Sequence, residues 1–238
     1  MNLAVDYGNS AAKVAIFDQH ALTEKHTFTH PEDLKSFLSA SPAENFIISS
    51  VITEAEAIAQ QVKAKNKFIL SHTLPLPVNI LYTTPHTLGV DRLAASCGAV
   101  QLFPGKNTLV IDAGTCITYD FTDSNRQYYG GGISPGLKMR FQAVHTFTAR
   151  LPLVNPAGNP ELVGNSTETS IQSGVVNGTL AEIDGIINRY RQKYPDLQVI
   201  LCGGDAPFFE NKLKASIFAS PDLVLIGLNR VLIHNVRL

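Results

Sequence analysis

The sequence predicts an α/β fold made of two duplicated domains, each a mixed sheet with flanking helices. Three observations point there. Apolar strand runs alternate with helical periodicities along the chain. Two strand–turn–strand stretches, "LAVDYGNS" and "LVIDAGTC", resemble each other. Each is followed by a third strand and then by alternating helices and strands, so one order of elements occurs twice. The 238 residues, 45% of them hydrophobic and 16% charged, suit one large domain or two small ones.

In the first half, residues 2–6 and 13–18 read as strands joined by a Gly8-Asn9 turn, a favoured hairpin signal. "TEKHTFTH" (23–30) alternates as a third strand. Pro31 then opens a helix to about Ser39, because proline suits a first helical position. "NFIISSV" (45–51) is a buried-strand run, "EAEAIAQQVKA" (54–64) is helical, and "KFIL" (67–70) is a strand. After Gly89, the residues Leu93, Ala94, Cys97 and Val100 recur at helical spacing.

"PGKN" (104–107) interrupts, which places the domains at 1–105 and 106–238. The second half repeats the order: strands at 108–114, 116–122 and 127–133, then helices near 135–147 and 169–194. "VILCGG" (199–204) is a strand, "SIFAS" (216–220) a weaker one, and 222–236 a closing helix that can pack back on the first half. Two such domains facing each other would put both turns in one cleft.

A net charge of -1 without runs of like charge gives no support for nucleic-acid or anionic-membrane binding. Three widely spaced cysteines form no CxxC pattern, so a reduced cytoplasmic chain is expected. No apolar run approaches the roughly 20 residues of a membrane helix, and no leader pattern opens the chain. The histidines show no HxxxH or HxH spacing, and neither a GxSxG elbow nor a Walker motif is present.

The chemistry concentrates at a few places. In each DxG turn, glycine lets the backbone approach a ligand, and consecutive turn N–H groups can hold phosphate oxygens. An aspartate beside a phosphate makes sense when a cation or its water lies between them. The plainer account of Asp6-x-Gly8 and Asp112-x-Gly114 is turn geometry alone. Asp91 and Arg92 open an apolar helix, where Asp91 can complement the helix dipole. Alternatively, Asp91 accepts a hydroxyl proton while Arg92 binds a carboxylate through its planar fork. Gly130–Gly132 exceed what one turn requires, and Pro135-Gly136 before a helix would allow close ligand approach, the plainer account being a strand end that turns tightly into a helix. Gly203-Gly204-Asp205 could receive the adenosine side of a nucleotide.

As an ordered set, "DYGNSAAK", "GVDR", "DAGTCIT", "GGGISPGLKMR", "TARLP" and "GNSTETSIQSG" resemble the signature segments of the type III pantothenate kinase family. The resemblance runs from residue 3 to about 230, and it implies a ribonuclease H-like, actin-like ATPase fold in both domains. It implies ATP-dependent phosphorylation of pantothenate to 4'-phosphopantothenate, the first step of coenzyme A biosynthesis. It further implies a homodimer that uses potassium or ammonium as monovalent cation beside Mg²⁺. On this resemblance Asp6, Gly8, Asn9, Ser10, Lys13 and Thr115 contact ATP, and Asp91 is the proton acceptor. Gly89, Val90, Asp91, Arg92 and Tyr82 contact pantothenate, Asp112 holds the monovalent cation, and Thr167 closes the partner subunit's pocket. Leu93, Cys116 and Ser10 depart from the usual family residues. Two rivals carry different expectations: a non-catalytic regulator or nucleotide sensor on the same fold, and a kinase for another carboxylate-bearing alcohol.

Overall fold

Strand β1 (Asn2–Tyr7) is apolar on both faces because both faces are covered. Leu3 and Val5 enter one core, and Ala4 enters another. The computed structural model describes residues 1–8, 11–50 and 55–238. In its first compact unit, β1 pairs antiparallel with β2 (Ala12–Asp18), which pairs with β3 (Ala21–Phe28). After α1 (Pro31–Ala40), β4 (Ala43–Ser50) lies parallel to β1. After α2 (Ala55–Gln61), β5 (Ala64–Ile69) lies parallel to β4. The order is therefore β3-β2-β1-β4-β5. Leu34 and Leu38 of α1 and Ile58 of α2 pack on Leu3, Val5, Val14, Phe46 and Ile48. A short strand β6 (Asn79–Ile80), a 3-10 turn (Pro85–Thr87) and α3 (Val90–Leu102) complete this stretch of chain.

A second sheet repeats that topology. Its strands β7 (Thr108–Ala113), β8 (Cys116–Thr122) and β9 (Gln127–Pro135) are followed by α4 (Leu137–Thr146) and α5 (Thr167–Lys193). Then come β10 (Gln198–Cys202), α6 (Ala206–Phe209) and β11 (Phe218–Ala219). The second sheet runs β6-β9-β8-β7-β10-β11, with β6 added parallel to β9. Its β9-β8-β7-β10-β11 part matches β3-β2-β1-β4-β5, so the duplication read from the sequence is a duplication of topology. Leu109, Ile111, Ile117 and Tyr119 form the core with Phe141 of α4 and Val176, Ile183 and Ile187 of α5.

The last helix, α7 (Leu223–Val236), belongs with the first unit, which comprises Met1–Gly105, Thr122–Gly130 and Asp222–Leu238. The second unit comprises Lys106–Phe121 and Gly131–Pro221. Helices α3 and α7 cover the remaining face of β1, β2 and β4 through Leu93, Ala94, Cys97, Leu228 and Val231. They cross at backbone contact. A Cβ on Gly227 would lie 1.7 Å from the Ala94 carbonyl oxygen, and one on Gly98 would lie 2.4 Å from that of Leu223.

A chain of buried amides ties α7 to the sheet. Asn66 donates to Asn45 at 2.8 Å, and Asn45 donates to Asn2 at 2.8 Å. Asn2 in turn donates to Asn229 at 2.9 Å, and Asn229 donates to the Gln19 carbonyl at 2.7 Å. The first three residues are strict parallel partners, Asn2 with Asn45 and Asn45 with Asn66.

Two local expectations change. Tyr7 pairs with Ala12, so the paired strands extend past the expected limits at residues 6 and 13, and Asn9 of the expected Gly8-Asn9 turn lies outside the described residues. The helical run expected to reach residue 64 stops at Gln61, because Ala64 pairs with Ala43 and the ladder takes over.

Candidate functional site

Asp6 sits near the end of β1, opposite Lys13 on β2 and Ser49 on β4. Cross-strand partners point to the same face, so the three side chains lie in a row. Ser49 donates its hydroxyl to Asp6 Oδ1 at 2.9 Å. Burial pushes the Asp6 carboxyl above the ordinary carboxylate range, and the Ser49 bond opposes that rise. The Asp91 charge adds to the rise, and Lys13 partly offsets it.

Asp91 reaches this face from the first turn of α3, whose N-cap is Gly89. Its Oδ1 accepts from the Arg92 backbone N–H at 2.9 Å, and a Cβ on Gly89 would fall 2.4 Å from the same oxygen. The dipole-complementing role that Asp91 could play is therefore real, and only one carboxylate oxygen serves it. Val90 is half-buried, and Arg92 is largely buried, with 8% of its surface exposed. Among the predicted residues of the first unit, the fold thus gathers Asp6, Lys13, Gly89 and Asp91. The Gly8 N–H donates to the Ala11 carbonyl at 3.2 Å, which ties it into the connection. Asn9 and Ser10 lie outside the described residues.

The second turn is braced from two sides. Asp112, half-buried at the end of β7, is the parallel partner of Cys202. The Gly114 N–H donates to the Cys116 carbonyl at 2.9 Å, and the Gly136 N–H donates to the Thr115 carbonyl at 3.0 Å. A Cβ on Gly136 would fall 2.2 Å from the Gly114 oxygen, so no other residue could close the β9–α4 junction this tightly. Gly203, at φ +96°, ends β10 where a Cβ would meet Asp112 Oδ1 at 2.4 Å. The Asp205 N–H donates to the Ala113 carbonyl at 2.8 Å, and burial raises the Asp205 carboxyl. Thr115 itself is exposed.

The glycine run near residue 130 lies close against neighbouring tyrosines. A Cβ on Gly130 would fall 2.5 Å from the Tyr82 ring, and one on Gly131 would fall 1.9 Å from the Tyr119 carbonyl. These glycines accommodate the protein's own groups, and Gly130 seats the half-buried Tyr82 beside Tyr128. Thr167 is the exposed first residue of α5, behind a capping box between Ser166 and Thr169. It stands in the second unit, whereas Tyr82 and Gly89–Arg92 stand in the first.

Ser49 is a site residue that the sequence reading passed over. Its signal was a hydroxyl ending an otherwise apolar strand run, but only the pairing of β4 with β1 puts it beside Asp6. Among the described residues, no group of three or more His, Cys, Asp or Glu could hold a metal ion, and no helix is long and apolar enough to cross a membrane.

The family model for type III pantothenate kinase matches residues 2–189. A type III pantothenate kinase from Phocaeicola vulgatus is 49% identical, and the match covers 100% of both chains. One from Cytophaga hutchinsonii is 44% identical, covering 99% of this chain and 100% of the relative. Among solved structures, a Baf-family protein from Campylobacter jejuni shares 22% identity at a TM-score of 0.67, over 99% of this chain and 100% of that one. A glucokinase from an Antarctic psychrotroph shares 11% identity at a TM-score of 0.53, over 98% of each. At such identities these structures speak for the fold, the duplicated actin-like ATPase architecture that both sheets display. With the family model spanning most of its length and full-length relatives at 44% and 49% identity, the chain belongs to the type III pantothenate kinase family.

Proposed function

We propose that the chain transfers the γ-phosphoryl group of ATP to the primary hydroxyl of pantothenate, giving 4'-phosphopantothenate on the way to coenzyme A. The observation that best supports this reading is the pair of carboxylates in the first unit. Asp6 and Asp91 lie within electrostatic reach of each other, and the Asp91 charge adds to the rise that burial chiefly imposes on the Asp6 carboxyl. Two like charges on one face fit a site that receives a cation. Mg²⁺ is commonly held by one or two carboxylates together with substrate phosphates. When bound, Mg²⁺ neutralises charge on the phosphate oxygens.

In this reading Asp91 orients the pantothenate hydroxyl and takes its proton through the oxygen that is not bonded to Arg92. A carboxylate suffices for this, because a loose phosphoryl-transfer transition state asks mainly for orientation and late proton removal. Arg92 pairs with the pantothenate carboxylate, and Gly89, Val90 and Tyr82 shape that subsite. Asp6, Gly8, Asn9, Ser10, Lys13 and Thr115 serve ATP. Asp112, half-buried at the end of β7, would hold the monovalent cation, potassium or ammonium. Thr167 closes the pocket of a partner subunit in a homodimer, and the enzyme works in the cytoplasm. By chain order the duplicated domains divide at 105/106.

The test uses purified protein, MgATP and pantothenate in potassium, ammonium or sodium buffer. Phosphopantothenate formed fastest with potassium or ammonium supports the reading. No product in any buffer would refute it, and nucleotide binding without turnover would point to a sensor. Competition between pantothenate and other carboxylate-bearing alcohols fixes the acceptor.

A further inference from the structure

The second unit contains a polar cluster that none of the roles above uses. Arg140, in the first turn of α4, donates from Nη2 to Glu182 Oε2 of α5 at 2.6 Å and to Ser134 Oγ at 2.6 Å. Its Nε donates to the Pro135 carbonyl at 2.8 Å. The other Glu182 oxygen accepts from the hydroxyl of Tyr119, a side chain only 2% exposed, at 3.0 Å. Burial pushes the Glu182 carboxyl up, but bonds from Ser134, Arg140 and Tyr119 outweigh it and hold the group below its ordinary range. Glu182 is thus a fixed anion, and the Arg140 fork ties it to Ser134 and Pro135 together.

Those two residues lead directly into Gly136, whose N–H holds the Thr115 carbonyl at 3.0 Å. No Cβ fits between them, so any shift of the 134–136 backbone must move the Gly114–Thr115 turn as well. We infer that Arg140 and Glu182 are positioning residues for the nucleotide, acting through Ser134–Gly136 on the Gly114–Thr115 turn. The inference rests on the assignment of that turn to ATP. A side chain that fixes a contact surface acts on the ligand that surface receives, and misplacement by about 1 Å can cost on the order of a hundredfold in rate.

The experiment measures kcat and both KM values for Arg140→Ala, Glu182→Gln and Thr115→Ala, with melting temperatures. Glu182→Gln keeps the side-chain volume and an acceptor for Tyr119, so it reports even if Arg140→Ala fails to fold. The expected result is a loss of roughly ten- to a hundredfold in kcat/KM for MgATP in both network variants, with KM for pantothenate within about twofold. Guanidinium ion should restore part of the Arg140→Ala activity. The Arg140→Ala/Thr115→Ala double variant should lose less than the product of the single losses. Lower melting temperatures with unchanged ATP constants, or equal losses toward both substrates, would overturn the inference while leaving the turn's role intact if Thr115→Ala is impaired. A Thr115→Ala variant with normal ATP constants would instead remove the assignment of the turn itself.

Discussion

Replacing Asp91 with asparagine separates its two duties. The Oδ1 that accepts from the Arg92 N–H at 2.9 Å is retained by the amide, so the first turn of α3 keeps its bond. What stability loses is the attraction of a charge to the helix N-terminus, about 0.3–1 kcal/mol. What it gains has the opposite sign, because the Asp91 charge raises the Asp6 carboxyl and that repulsion disappears. The two effects largely cancel. The melting temperature of a chain of this length should therefore move by no more than about 2–4 °C. Catalysis has no such compensation. Loss of a positioned proton acceptor typically costs about 10²–10⁴ in rate, or roughly 3–5 kcal/mol of barrier. Single-turnover transfer with saturating substrates, alongside nucleotide affinity by calorimetry, reads the two quantities separately. The expected outcome is a fall in kcat of at least a hundredfold with ATP affinity unchanged or improved. A kcat within threefold of wild type, in a folded variant, would refute the role given to Asp91.

The remaining predictions concern the groups around it. Asp6→Asn should stabilise the nucleotide-free protein at neutral pH. A carboxyl raised on folding favours the folded state below its unfolded value of 3.8, and that contribution is lost as pH climbs through the raised one. The melting-temperature gap between variant and wild type should therefore close toward acid; a constant gap would contradict the burial of a charge. Gly227→Ala should destabilise by about 3 kcal/mol or more, because its Cβ meets a main-chain carbonyl rather than a flexible side chain, and chemical denaturation measures the loss. Asn45→Ala breaks two links of the amide chain and should lower stability by about 2–4 kcal/mol, by the same assay. The buried Cys97 thiol, pushed up to about 12, should stay unlabelled by a thiol reagent at pH 8 until the protein is unfolded.

Most of the architecture was legible because burial imposes periodicity. Runs such as "NFIISS" and "TLVIDA" are strands covered on both faces, and their lengths forbid much else. The repeat was legible for the same reason, since equal topology calls for equal order of elements. What the sequence withheld depends on contacts between distant residues. Ser49 becomes a partner of Asp6 only through strand pairing, and Glu182 meets Arg140 across 42 positions of sequence. The close fit of Gly130 against Tyr82 and of Gly131 against the Tyr119 carbonyl was not legible either, because a missing side chain looks the same whether ligand or protein fills the space. The direction of Asp91 could be anticipated, but not that a single oxygen of it would serve the helix.

The placement of α7 reaches back to how the chain is made. Residues 222–238 leave the ribosome after the second unit, yet they complete the unit that contains residues 1–105. Until then one face of the β1–β2–β4 sheet has no α7 over it, and the Asn2 amide has no Asn229 to receive it. The second unit, Lys106–Phe121 and Gly131–Pro221, emerges in the interval. Synthesis therefore presents the nascent chain with an unfinished first unit for as long as the second takes to appear. A ribosome-stalled chain ending at Pro221 should be readily cut by protease within residues 1–105, whereas the released full-length protein should resist. These seventeen residues act as the closing stitch of the first fold, so a frameshift just before codon 222 would strike the Asp6 site as surely as a mutation within it.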